Sequence, residues 1–161
     1  MKSILFTFAF FFGLNAIITA QNTPEALGQA VIQSFIDKDE NAFYLLIPTC
    51  AEIVSYIKEI KLPLNEDEMQ SFEASCPTST ASFRSVYVNN YKTGVQKGID
   101  WKNVIIDEVS ASSQKADEFE FDVTSINIIA HSDDRLIEIT IKNAFAVDGS
   151  WKLNDKVEFS F

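Results

Sequence analysis

The sequence predicts an α+β fold, with N-terminal helices packed on one face of a curved antiparallel sheet of about four strands. Two observations carry that expectation. Apolar residues recur at helical spacing as far as Gly98, and from Trp101 onward they recur at every second residue. Turn signals, "SDDR" and "DG", then separate the later apolar runs as in a meander of hairpins. No linker rich in Gly, Pro or Ser divides the two halves, so residues 21–161 read as a single α+β domain.

The helices follow from their caps and stripes. In "TPEALGQAVIQSFIDKD", Thr23 is an N-cap, Pro24 stands at N1 and Glu25 complements the helix dipole. Leu27, Val31 and Phe35, with Ile32 and Ile36 beside them, form one apolar face. "DENAFYLLIP" reads as a short second helix stopped near Pro48. "TCAEIVSYIKEI" opens with a capping box, Thr49 and Glu52, and repeats apolar residues at Ile53, Tyr56, Ile57 and Ile60. Asn65 caps "NEDEMQSF". Pro77 is expected to break the pattern, and a further helix then carries Phe83, Val86, Tyr87, Tyr91 and Val95 on one face until Gly94 or Gly98.

The strands follow from alternation. "WKNVIIDEVSAS" is β-branched and apolar. In "DEFEFDVTSINIIAHS" the apolar set runs Phe119, Phe121, Val123, then changes parity to Ile126, Ile128, Ala130, which predicts a bulge at Thr124-Ser125. "LIEITIKNAFAV" places Ile137, Ile139, Ile141, Phe145 and Val147 on one face. After "DG", the closing strand places Trp151, Leu153, Val157, Phe159 and Phe161 on one parity, with Asp155 the sole acid among them. Alternation of this kind marks an antiparallel sheet with one wet face.

The first twenty residues have a different character. Lys2, the apolar run Ile4 to Phe12 and small Ala20 predict a signal peptide over 1–20, cleaved before Gln21, which makes the mature protein secreted or periplasmic. An uncleaved anchor is disfavoured, because about 20 apolar residues are needed to span a bilayer and Asn15 and Thr19 interrupt the run. No stable membrane anchor is expected. Loss of Lys2 takes the formal charge from −10 to −11, which repels phosphate backbones and anionic lipid, so nucleic acid is not an expected partner.

Two stretches resemble a known family. "ALGQAVIQSFIDKDENAFYLLI", a helix, then D-K-D-x-x-A and a second short helix, resembles the start of nuclear-transport-factor-two-like domains, the cone-shaped cystatin-like α+β fold. "VDGSWKLNDKVEFSF" is similar to the last hairpin of such domains. The resemblance implies helices closing a curved sheet, and, in catalytic members such as ketosteroid isomerases and scytalone dehydratases, pocket-facing Asp, Tyr or His groups. Asp122, Tyr87 and His131 are the residues here of those types. Asp122, opposite in parity to Phe121 and Val123, is expected to face water, and no catalytic set is carried over.

The residues themselves offer few sites. His131, the only histidine, reads as an ordinary loop residue unless a partner orients it as a base. The acid clusters at 37–40, 65–68 and 132–134 lack the ligand spacing and central glycine of a calcium loop. Two cysteines and one histidine make no conventional zinc site, and the five scattered glycines make no phosphate loop, so neither metal nor cofactor is expected. Tyr56, Tyr87, Tyr91, Trp101 and His131 are the candidate lining of a ligand pocket at the open end of the sheet. Export permits a Cys50–Cys76 disulfide. Two buried thiols, or Cys50 as a thiolate at a helix N-terminus, are the competing states.

The expected function is an exported non-catalytic domain that binds a small apolar ligand or an envelope partner, in an oligomeric state that includes a dimer among its options. A small lyase or isomerase with a pocket in the cone and a structural accessory protein are the alternatives.

Overall fold

The computed structural model of the chain describes residues 21–115, 122–154 and 156–161. The leader and the expectations placed on Phe119, Phe121 and Asp155 lie outside the described residues, as do the side-chain expectations for Asp122 and Val123.

Four helices come first: α1 (Pro24–Ile36), α2 (Glu40–Tyr44), α3 (Cys50–Glu59) and α4 (Glu66–Gln96). Each begins at a polar cap. Thr23 accepts from the Ala26 N–H and Asp39 from that of Ala42. Thr49–Glu52 and Asn65–Glu68 form full capping boxes. Such caps satisfy backbone donors that the helix itself cannot pair.

The expected break at Pro77 does not occur: α4 runs unbroken through it. Proline's fixed φ suits a helix, and the cost is the hydrogen bond it cannot donate to the preceding turn. The Cys50–Cys76 disulfide, with Cα atoms 5.8 Å apart, fastens α3 to α4 at that very point. Val95 is also displaced from its expected face and is exposed, while Gly94 is buried. Each four-residue step turns the face by about 40°. Two such steps from Tyr87 carry Val95 off the core side, and Gly94 takes its place.

A 3₁₀ turn at Trp101–Asn103 leads into five strands: β1 (Ile105–Lys115), β2 (Asp122–Ser132), β3 (Arg135–Val147), β4 (Ser150–Lys152) and β5 (Val157–Ser160). The strands are antiparallel in the order β1-β2-β3, and β4 and β5 both pair with the far side of β3. The fold is therefore α+β, with helices packed on an open antiparallel sheet. Asp148 and Gly149, at φ 50° and 76°, make the β3–β4 turn, the left-handed pair that a tight hairpin requires.

The register irregularity falls where the sequence predicted it, but the extra residue belongs to β3. Thr124 faces Ala144 and Ile126 faces Ile141, so β3 bulges around Asn143, which adopts φ 56°. Strand β2 keeps one parity, burying Thr124, Ile126, Ile128, Ala130 and Ser132. On β3 the bulge reverses the faces. Ala144 joins Ile137, Ile139 and Ile141 in the main core, whereas Phe145 and Val147 are buried outside it. Phe145 packs on Tyr56 of α3 at 4.3 Å between centroids. The expectation of one continuous apolar face on β3 is corrected accordingly.

The closing strand is likewise two strands. Between them the Leu153 N–H leaves the ladder and donates to the Leu46 carbonyl at 2.9 Å, tying the α2–α3 loop to the sheet edge. Lys152 strengthens this tie. Its ammonium donates to the Leu45 carbonyl and pairs with Glu52 at 3.3 Å. Burial raises the Glu52 pKa, but the Thr49 backbone and hydroxyl together with Lys152 outweigh it, and the net shift is downward. A carboxylate held below its ordinary value contributes stability above that value and loses it as pH falls through the lowered one. Glu52→Gln should therefore lower the urea midpoint at neutral pH, and its deficit against the wild type should shrink on acidification. A deficit independent of pH would contradict the network.

Candidate functional site

Helix α1 lies across the sheet with Leu27, Val31, Ile32 and Phe35 fully buried. Phe35 is the hub of the interior. Its ring lies 4.6 Å from Tyr87, 4.9 Å from Phe159, 5.0 Å from Trp101, 5.8 Å from Phe43 and 6.5 Å from Tyr91. Phe161 closes the stack against Trp101 and Phe159. Tilted and edge-on contacts of this kind are the favoured aromatic geometries.

Of the five residues expected to line one pocket, Tyr87, Tyr91 and Trp101 lie together beside Phe35, while Tyr56 and His131 lie apart. Trp101 is buried in the aromatic core, where it donates from Nε1 to the Tyr91 carbonyl at 3.3 Å. Its ring lies where a side chain at Gly94 would be, with only 2.5 Å from Cζ2 to an added Cβ. Tyr87 is buried beside it and donates its hydroxyl to the Ser34 carbonyl at 3.2 Å. Burial, then the charge of Tyr91, Glu40 and Asp39, pushes its pKa up to about 12, so the phenol stays a neutral donor. Tyr91 stacks between Trp101 and solvent. Tyr56 lies apart, on Phe145.

His131 stands on the opposite, outer face of the sheet. Its Nδ1 is 2.7 Å from Asp107 Oδ2, at the bulge between Ile106 and Glu108 of β1. The carboxylate orients the ring, but among the described residues no hydroxyl or thiol is bonded to the other ring nitrogen. The pair lacks the nucleophile that such an arrangement would activate.

Around His131 the outer face carries residues that the alternation pattern left unremarked. Cross-strand pairing sets Ile105, His131 and Leu136 in one row, and Glu108, Ile129 and Glu138 in the next. Ile105, Ile129 and Leu136 are 58%, 36% and 51% exposed. No described helix covers them, and acids flank them: Asp107, Glu108, Glu138 and the exposed hairpin pair Asp133 and Asp134. The available signal was three large apolar residues at outward parity on adjacent strands.

No family model, curated protein or solved structure matches this chain. Among the described residues no helix is long and apolar enough to cross a membrane, and no cluster of His, Cys, Asp or Glu could hold a metal ion.

Proposed function

We propose that the chain is an exported, non-catalytic binding domain that meets an envelope protein through the outer face of its sheet, as a member of the nuclear-transport-factor-two-like group it resembles. The observation that carries this reading is the uncovered apolar patch Ile105, Ile129 and Leu136 on a sheet whose other face is packed with helices. Exposed apolar patches rimmed by polar groups favour protein contact. The acidic rim specifies the partner's chemistry, an apolar centre bordered by Lys and Arg, because a second copy of this chain would oppose like charges. A small apolar ligand inside the cone is the weaker reading, since Phe35 and its aromatic neighbours occupy the space between α1 and the sheet. The disulfide is compatible with an oxidising compartment.

Two measurements test the proposal. The intact mass of the exported protein should correspond to a chain beginning at Gln21; a membrane-retained species carrying Met1 to Ala20 would defeat export. A photo-crosslinking side chain at Ile129 or Leu136, introduced in the producing cells, should give an adduct with one basic-surfaced protein. The same group at Leu45, 63% exposed but on the helical side, should not. Equal adducts at both places, or none at the sheet, would overturn the docking face.

A further inference from the structure

The helical side carries a second feature, independent of the sheet. Between the α1–α2 turn and α4 lies a half-open depression of about 180 Å³, lined by Lys38, Glu40, Tyr87, Val88, Tyr91 and Lys92. We propose that it binds a small aromatic monocarboxylate, whose ring lies against Tyr91 and Val88 and whose charge is taken by the Lys38 and Lys92 ammoniums.

The charge of the lining is the first argument. The chain has 23 acidic residues against 13 basic ones, yet two of this depression's six residues are lysines and one is acidic. Among the described residues neither ammonium has a carboxylate within ion-pair distance. Lys38 Nζ instead sits 5.7 Å from the centre of the Tyr91 ring. Glu40, the opposing charge, is engaged by the Tyr44 hydroxyl, and Asp39 caps α2. Within the lining two ammoniums face one carboxylate, so a carboxylate entering between Lys38 and Lys92 is attracted by both, set against the charges of Glu40 and Asp39 beside them.

The backbone at Lys38 is the second argument. The end of α1 is a complete Schellman motif: the Asp39 N–H donates to the Ser34 carbonyl at 2.8 Å and the Lys38 N–H to that of Phe35 at 3.2 Å. The left-handed residue of such a motif is usually glycine, but here it is Lys38, at φ 55°. This cap fixes the backbone from which Lys38 reaches over Tyr91, as the equivalent cap at Lys61, φ 52°, fixes the end of α3.

The aromatic lining is the third. Tyr87 is committed to Ser34 through its hydroxyl and is rigid. Tyr91 is backed by Trp101 at 5.8 Å and Phe35 at 6.5 Å. A fixed aromatic wall with a cation beside it recognises a planar anion by ring contact plus charge, and repels a planar cation of the same shape.

The test uses two isosteres, 4-hydroxyphenylacetate and tyramine, titrated into the ¹⁵N-labelled disulfide-bonded protein. The acid should shift the amides of Val88, Tyr91 and Lys92 saturably, and tyramine should not. Lys92→Gln, at an exposed helical position, should weaken the acid about two- to five-fold, the size of one exposed charge contact. Lys38→Gly should weaken it similarly while leaving the α1 end folded, because glycine is the usual residue there. Its unchanged spectrum elsewhere separates lost binding from lost structure. Equal shifts with tyramine, shifts outside the depression, no saturation, or affinity unaffected by either lysine variant would each overturn the assignment.

Discussion

Phe35→Ala is expected to lower the free energy of unfolding by about 3–5 kcal/mol, the range for deleting a fully buried aromatic ring. The ring has no exposed surface and five aromatic neighbours, one from α2, two from α4, one from the 3₁₀ turn and one from β5. Those neighbours cannot all collapse into the vacated space, because Tyr87 is hydrogen-bonded to Ser34 and Trp101 to the Tyr91 carbonyl. The cost therefore belongs at the upper part of the range, where a cavity persists. Urea unfolding followed by tryptophan fluorescence measures it, since Trp101 reports directly on the cluster. A loss below about 1 kcal/mol, typical of a site that repacks freely or is already solvated, would mean that the interior is not filled as described.

Removing the disulfide is expected to cost about 3.5 kcal/mol in the chain-entropy account of loop closure. The bond joins residues 26 apart in sequence, and it does so next to Pro77, where α4 lacks one of its own hydrogen bonds. Loss of the bond should therefore loosen α3 and the first half of α4 before the sheet. The paired substitution Cys50→Ser with Cys76→Ser should lower the unfolding free energy from urea titration by about that amount, moving the midpoint down, and expose the amides around Pro77 to hydrogen exchange. The wild type, denatured without reductant, should show no free thiol. Titratable thiols, or a midpoint unmoved by the paired substitution, would contradict the bond's structural role.

Much of this architecture was legible because it is local. Thr23, Thr49 and Asn65 announce helix starts by side-chain chemistry that acts within one turn, and the structure uses every one of them, as it also uses Asp39 at α2. The Asp148–Gly149 turn is equally local. The disulfide was legible from the expectation of export and the cysteine count.

What could not be read depends on contacts distant in sequence. Pro77 carries a strong local breaking tendency, yet α4 continues through it, fastened to α3 by Cys76. The parity change in the apolar pattern pointed to the right place in the ladder but not to the strand that carries the extra residue. That choice is settled by which faces are covered, and Phe145 is buried only because Tyr56 of α3 lies over it. Four of the five candidate pocket residues were Tyr or Trp, and aromatic character alone does not separate a wall from a filling. Trp101 turned out to pack on Phe35, while Tyr87 and Tyr91 each reach both the core and the lysine-lined depression. The outer patch was hidden for another reason: Ile129 and Leu136 look like ordinary strand residues until register sets them beside Ile105 and His131.

The most direct test is a methyl-resolved NMR comparison of the isoleucine- and leucine-labelled protein, free and bound to the partner identified by crosslinking. The outer methyls of Ile105, Ile129 and Leu136 should shift or broaden, while Ile126, Ile128 and Ile139, buried beneath α1, should keep their positions. Movement of the inner set with a silent outer set would place binding between the helices and the sheet and contradict the account.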